Sequence, residues 1–413
     1  MSYTILAAIV VVVIVALLLV ALLLFVKKKV TPSGLVRIDI NDGSRTLEVE
    51  PGSNLMGTLA QEDIFLASAC GGKANCGQCK VQVEEGGGEI LPTETGFFNR
   101  KQVKDNWRLG CQVKVKDDIK IRVDESALNA RKFPCEVISN DNVATYIKEF
   151  TVRLPEGETM DFRSGQYIQI DVPAFHVRFS EIDVAAEYRA EWEKNGFFSL
   201  ECVNEEPTVR AYSMASYPAE GNIIKLNVRI ATPPRGLSVP PGIASSYIFS
   251  RKPGDMVTLS GPYGEFLLPQ DDAVDVEYIF VGGGAGMAPL RSHIMHLFRT
   301  MGTGRKVNFF YGARALKEAF YLEDFAQLES EFPNFKFYLA LDCPDPAADA
   351  AGVPYTPGFV HNVMYETYLK GHEAPEDIKY FMCGPPMMVS SVNSLLDSLG
   401  VDAESILYDD FGG

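Results

Sequence analysis

Cys70-Gly71-Gly72-Lys73-Ala74-Asn75-Cys76-Gly77-Gln78-Cys79 puts three thiols within ten residues, and 31 residues separate Cys79 from the next cysteine, Cys111. At this C-x5-C-x2-C spacing one loop can wrap a single small object, and its glycines let backbone N–H groups approach the sulfurs. A [2Fe–2S] cluster needs four converging thiolates, and N–H groups on its sulfurs offset its negative charge and tune its potential. Zinc usually takes two C-x2-C pairs, and only one is present. Buried, inert cysteines are the remaining alternative. With eight Cys in 413 residues the chain is no disulfide scaffold, so the clustering indicates metal before disulfide. Cys70, Cys76, Cys79 and Cys111 are the expected ligands, with Cys135 next in line should Cys111 not serve.

Upstream of this loop, residues 35–40 and 45–50 alternate apolar and polar around Asn41-Asp42-Gly43-Ser44, a β-hairpin signature. Residues 53–60 read as a short helix with Ser53 as its cap, residues 119–123 as a strand, and residues 125–131 as a linker. Hairpin, helix and cysteine loop together resemble a ferredoxin domain, an α+β (β-grasp) fold over residues 34–126. The loop departs by one residue from the plant-type C-x4-C-x2-C.

Further upstream, Ile5 to Val26 are 22 residues without a charge or a proline, followed at once by Lys27, Lys28 and Lys29. As a helix the run is about 33 Å long, enough to cross a hydrocarbon core of about 30 Å. The lysines place the following chain in the cytoplasm. A cleaved signal peptide would have a basic start, a shorter apolar run and a small-residue cleavage site, and none is present. Residues 1–29 therefore read as an uncleaved single-span transmembrane anchor. It holds no ionisable side chain between Ile5 and Val26, so any ion path belongs to other subunits.

Beyond residue 130, strand-like runs at 149–154, 166–172, 223–230 and 256–260, broken by Pro and Gly, read as an antiparallel β-barrel over 130–270. A charged stretch, residues 181–195, looks inserted. Arg210-Ala211-Tyr212-Ser213 ends a barrel strand, and Pro241-Gly242-Ile243-Ala244-Ser245-Ser246 opens a helix. The pair of motifs resembles the FAD site of the ferredoxin–NADP reductase family, and the resemblance implies that Arg210 offers a cationic fork to a pyrophosphate, Tyr212 a flat ring to an isoalloxazine, and Ser213 a hydroxyl to ring heteroatoms. Gly242, Ala244, Ser245 and Ser246 put N–H groups and hydroxyls at a helix N-terminus suited to phosphate.

From residue 271 to 413, strand-like runs at 276–281, 306–311, 336–340 and 378–382 alternate with helical stretches, which indicates a parallel α/β sheet. Gly282-Gly283-Gly284-Ala285-Gly286-Met287-Ala288-Pro289 joins the first of these strands to a helical run through Phe298, a dinucleotide phosphate context. Residues 302–312 hold no acidic residue, unlike a dehydrogenase fingerprint. The motif instead resembles the G-x-G-x-x-P of the same reductase family, as do Phe310-Tyr311-Gly312-Ala313-Arg314 and Cys383-Gly384-Pro385-Pro386. The resemblance implies NADH as the dinucleotide, with Gly283, Gly284, Gly286, Met287, Pro289, Arg314, Gly384 and Pro385 in contact with it. Arg314 and Lys317 could in principle hold a 2′-phosphate. Cys383 would face the nicotinamide, and Phe411, near the C-terminus, would cover the flavin until NADH displaces it.

The whole multidomain pattern resembles the NADH-oxidising subunits of the sodium-translocating NADH:quinone reductase family. That implies hydride transfer from NADH to FAD, then single electrons to [2Fe–2S] and on to a partner membrane subunit, with quinone reduced elsewhere in a bacterial inner-membrane complex. The reductase component of a multicomponent oxygenase shares these modules but is normally soluble, and the anchor separates the two. A membrane-tethered iron–sulfur sensor would not need the Gly-rich turn or the Cys-Gly-Pro-Pro segment. A net charge of -16 argues against nucleic acid as a partner.

Overall fold

The computed structural model describes residues 13–21, 34–234, 236–237 and 239–409. Residues 13–21 are helical. Among the described residues no helix is long and apolar enough to cross a membrane, and the rest of the expected span lies outside them. The chain divides between Asn129 and Ala130 into two compact units.

In the first unit the expected hairpin forms from Val36–Ile40 and Arg45–Val49, paired antiparallel with Val36 opposite Val49. Val36, Ile38 and Ile40 face inward, so the alternation in the sequence becomes one buried face. The turn runs through Asn41, Asp42 and Gly43, all at positive φ. The short polar side chains make this tolerable, and Gly43 N–H donates to Asp39 Oδ1 at 2.7 Å. A five-stranded mixed sheet follows, ordered Arg45–Val49, Val36–Ile40, Ile119–Arg122, Lys80–Glu85, Trp107–Leu109. The helix on it is Leu55–Gln61, and Asn54, not Ser53, is its cap, accepting from Gly57 N–H at 2.7 Å. The shift sets Leu55 and Leu59 fully in the core, worth about 2 kcal/mol each. The expected linker at 125–131 is instead a helix, Glu125–Asn129, whose Ala127 packs into this core, followed directly by a strand.

The second unit begins with that strand, Arg131–Ala144. It belongs to a six-stranded antiparallel sheet ordered Thr208–Ser213, Tyr167–Val172, Met256–Tyr263, Arg131–Ala144, Ile147–Arg153, Ile223–Arg229. A bridge between Met214 and Leu226, with Ala215 N–H on Lys225 O at 2.7 Å, joins the two outer strands and closes the barrel. The charged insert becomes a helix, Ala186–Lys194, and it is not an appendage. Trp192 is fully buried among Phe179, Phe197, Phe198 and Phe249. Six parallel strands complete the unit in the order Thr356–Pro357, Phe335–Leu341, Val307–Ala313, Tyr278–Gly283, Lys379–Cys383, Ile406–Asp409. Tyr278–Gly283 is buried at every position, as a strand covered on both faces must be. Strand order reverses on either side of it, which opens a crevice at the carboxyl ends of Tyr278–Gly283 and Lys379–Cys383.

Candidate functional site

The cysteine loop folds through positive φ at Gly71, Gly72, Ala74 and Gly77, which curls its N–H groups inward. A Cβ on Gly77 would come within 2.4 Å of the Phe97 ring, so no larger residue fits there. Cys70 Sγ accepts from Lys73 N–H at 3.2 Å and lies 3.5 Å from Cys76 Sγ. Cys79 and Cys111, both buried, are hydrogen-bonded thiol to thiol as a second pair. Burial pushes the Cys70 thiol up, but N–H groups of Asn75, Cys76 and Lys73 outweigh it and bring it down to about 7. The bond from Cys79 likewise brings Cys111 down to about 6 against burial, while Cys79 moves up. Burial raises Cys76.

Among the described residues no three ligating side chains could share one ion. Two pairs of thiols, instead of one tetrahedron, fit a cluster with two irons and not a single zinc. Cys135 belongs to the barrel core, fully buried, with its thiol pushed up to about 12 by burial, and is no substitute ligand. Sequence reading missed a buried ion pair in the first unit. Glu94 and Arg108 meet at 2.8 Å. Arg108 also donates to Gly87 O and Gly88 O, while Glu94 accepts from Leu109 N–H, two residues before Cys111. Nothing in the spacing marks two charges 14 residues apart as partners.

In the second unit, helix Ile243–Ser250 starts at Gly242 with no side chain capping it, so its first N–H groups remain available to an anion. A Cβ on Gly242 would meet Ala231 Cβ at 2.7 Å. Ala244, Ser245 and Ser246 are buried here. The Ser245 hydroxyl donates to Gly242 O and accepts from Ala231 N–H, whereas the buried Ser246 hydroxyl has no hydrogen-bond partner among the described residues. The terminus therefore offers its backbone N–H groups and the Ser246 hydroxyl, while the Ser245 hydroxyl is already engaged. Arg210, half-buried, turns Nη1 onto Thr208 Oγ1 and Val209 O. Tyr212 packs on the barrel core, where burial raises its hydroxyl. Ser213 donates to Asp409 Oδ2 at 2.6 Å across 196 residues of chain, a partner that no motif announces.

The three nucleotide motifs meet at the ends of adjacent strands. Gly283 pairs with Gly312, Gly282 with Cys383, and Cys383 with Asp409. A Cβ on Gly286 would lie 2.1 Å from Cys383 O and 2.6 Å from Gly384 N, so the Gly-rich turn and the Cys-Gly-Pro-Pro turn touch backbone to backbone. Gly284, at φ +56°, is held by Tyr311, whose hydroxyl donates to its carbonyl at 3.2 Å. Met287 and Pro289 lie buried in the first turn of helix Met287–Met295, and Pro385 caps helix Pro386–Ser398. That first helix ends in a π-helical turn, His296–Thr300. Cys383 is fully buried and Arg314 exposed. Phe411 lies outside the described residues. Ser213, Asp409, Cys383 and Gly282 thus form one row from the barrel motif to the nucleotide turn.

Residues 38–116 match the 2Fe-2S iron-sulfur cluster binding domain, residues 194–267 the oxidoreductase FAD-binding domain, and residues 280–394 the oxidoreductase NAD-binding domain. The chain is 52% identical over 389 residues to the F subunit of the Na(+)-translocating NADH-quinone reductase of Idiomarina loihiensis, covering 94% of each. It is 50% identical over 387 residues to the protein of the same name in Pseudomonas aeruginosa strain UCBPP-PA14, covering 94% of this chain and 93% of that one. Among solved structures it shares its fold with an Amycolatopsis cytochrome P450 reductase, GcoB (TM-score 0.62, 24% identity, 91% of this chain and 98% of that one). The ferredoxin reductase in carbazole 1,9a-dioxygenase is similar at TM-score 0.58 and 21% identity, again covering 91% and 98%.

Proposed function

The chain belongs to the family of Na(+)-translocating NADH-quinone reductase F subunits, and from that premise we propose how its residues divide the work. It is the electron-input subunit, an oxidoreductase with [2Fe–2S], FAD and NAD-binding domains. When bound, FAD supplies the exchange between a two-electron hydride and single electrons, and the cluster carries those electrons singly. The protein contributes binding, orientation and exclusion of water.

Cys70 and Cys76, with Cys79 and Cys111, would hold the [2Fe–2S] cluster, which would supply one-electron transfer there. The N-terminus of helix Ile243–Ser250 at Gly242 receives the FAD pyrophosphate, with Arg210 swinging from its own strand as the cationic partner. Tyr212 would support the flavin ring, and Ser213 would offer it a hydroxyl. Gly283, Gly284 and Gly286 bring the N-terminus of helix Met287–Met295 against the NADH pyrophosphate, with Met287 and Pro289 setting its first turn. Arg314 borders the adenosine ribose. Gly384 and Pro385 would form the wall on which Cys383 faces the nicotinamide, and Phe411 would cover the flavin until NADH displaces it. Residues 34–126, 130–270 and 271–413 are the corresponding domains. Residues 5–26 anchor them to the cytoplasmic face of the bacterial inner membrane, where other subunits take the electrons and reduce quinone.

The row Ser213–Asp409–Cys383–Gly282 carries this reading, because it sets a barrel motif beside a nucleotide motif where a hydride would pass. The test is purification of the membrane complex, identification of its subunits, and NADH oxidation with and without sodium. Sodium-stimulated oxidation by a multisubunit membrane complex is expected. A soluble protein indifferent to sodium would sink the reading.

A further inference from the structure

The charged insert reaches the nucleotide half of the molecule at one specific place. Trp192 is fully buried, and its indole N–H donates to Thr145 O at 2.7 Å. Thr145 in turn bonds Glu318 through both its N–H and its hydroxyl. Glu318 belongs to the turn Leu316–Glu318, just past the strand Val307–Ala313. One residue before Trp192, Glu191 meets Lys317 of that turn at 3.6 Å. The far side of the turn is tied as well, Leu316 N–H donating to Asp345 Oδ2 at 2.7 Å. The anchored indole therefore fixes where the Glu191 carboxylate stands, and the bonded turn fixes where Lys317 stands.

This turn lies where a dinucleotide is read. In a doubly wound sheet, the strand beside the one carrying the Gly-rich turn ends next to the adenosine ribose. Residues just past it accept a 2′-hydroxyl or pair with a 2′-phosphate. Here that neighbour is Val307–Ala313, with Gly312 opposite Gly283. Between Ala313 and Phe335 the only cations are Arg314 and Lys317, and residues 342–369, beyond the next strand, contain no Lys or Arg. Arg314 is exposed and makes no ion pair among the described residues. A 2′-phosphate brings roughly two negative charges, and Lys317 is the second cation it would need.

We infer that the insert is a coenzyme selector: Glu191 holds Lys317 away from the 2′ position, so that NADH is taken and NADPH discriminated against. The inference rests on the NADH reading of the Gly-rich turn. A neutral 2′-hydroxyl is indifferent to the pair, whereas a 2′-phosphate must compete with Glu191 for Lys317 and is repelled by that carboxylate. The pair is half-exposed, so its effect is modest, on the order of fivefold.

The test uses the full chain with its cofactors and the variant Glu191→Gln, which keeps the shape and removes the charge. Calorimetry with adenosine 2′,5′-bisphosphate and with 5′-AMP reads the 2′ position directly, and the KM ratio of NADPH to NADH reads it in turnover. The bisphosphate is expected to tighten about fivefold relative to 5′-AMP, with the KM ratio falling by a similar factor. Adding Lys317→Ala should abolish that gain. A parallel change for both nucleotides, no change for either, or a gain that survives Lys317→Ala overturns the inference. If the unaltered protein binds neither adenosine nucleotide, the NADH reading fails first and takes the inference with it.

Discussion

The two units build their sites from opposite materials. In the first, the proposed ligands are four side chains of one type, three of them from a single ten-residue loop, and the fold supplies N–H groups and a turn at Gly77 closed by the Phe97 ring. In the second, the decisive features are side chains that are missing and partners distant in sequence. Gly286 leaves room for Cys383 O, and Ser213 finds Asp409 only when the last parallel strand is in place. A ligand site made of side chains tolerates change around it but not within it. A site made of backbone approach fails when atoms are added, even though no functional group is lost.

The sharpest way to break that contrast is at the thiols. Replacing Cys70, Cys76, Cys79 or Cys111 by Ala should abolish the visible iron–sulfur absorption while hydride transfer from NADH to FAD, followed by flavin bleaching, continues. A normal cluster in Cys111→Ala would show that the Cys79–Cys111 pair is not the second half of the ligand set. Next in size is Gly286→Ala, which adds one methyl group and removes nothing. Its Cβ would overlap main-chain atoms that have no flexible side chain to yield, so the two turns must move apart. Displacement of about 1 Å at a reacting centre costs on the order of a hundredfold. NADH-dependent flavin reduction should therefore fall at least that far, with cluster absorption intact. A loss below threefold would mean that the close approach of the turns does not set the geometry.

The same contrast governs what the sequence made legible. Alternation announced both hairpin strands, and strand-like runs set off by Pro and Gly or by helical stretches announced the barrel and the four central parallel strands, because burial on one face leaves a period of two and burial on both leaves a continuous apolar run. The cysteines and Gly-rich turns were legible because their chemistry depends on local spacing. What escaped was set by tertiary contact. Asn54 displaced Ser53 as cap because Leu55 and Leu59 had to face the core. The expected linker became helix because Ala127 packs under it. The insert looked solvated since only Trp192 and Tyr188 of its helix are buried, among many charges. The Glu94–Arg108 pair, the Ser213–Asp409 bond and the Glu191–Lys317 contact join residues with no periodic relation at all.

Charge placement separates the units again, and pH sharpens the difference. In the first unit Lys120 is held above its ordinary range by Asp42 and then Glu84, a surface network that water and salt screen. In the second, Lys148 is buried at 1% exposure and, among the described residues, meets no carboxylate, its ammonium donating to Phe249 O at 3.5 Å. Burial brings its pKa down to about 8, with Asp183 and Asp141 opposing the shift only in part. The unfolded chain, with an ordinary lysine near 10.5, then binds more protons than the folded one between those values, so stability rises with pH across that window. Below pH 8 the full penalty applies, at most about 3 kcal/mol. Lys148→Met should stabilise the second unit by up to about that much at pH 7, with the gain vanishing near pH 10.5. Denaturant titrations at several pH values measure it. A pH-independent difference would show that packing, not charge burial, separates the two proteins.

The smallest expected effect tests whether the tail belongs to the backbone-built site. Ser213 fixes Asp409, the last described residue, and Phe411 follows two positions on. An aromatic ring stacked on a flavin face is worth about 1 kcal/mol beyond the area it buries, and it must leave before nicotinamide can lie there. Phe411→Ala should change NADH affinity and the flavin reduction rate about three- to tenfold, with FAD content and cluster absorption unchanged. If the Ser213–Asp409 bond delivers that ring, the loss in Ser213→Ala and the loss in Phe411→Ala share a cause and will not add. The double variant should then resemble the more impaired single one. Strict additivity would assign Ser213 to the flavin alone and leave the tail independent of it. Unchanged NADH kinetics in Phe411→Ala would make the terminal aromatic an ordinary docking residue.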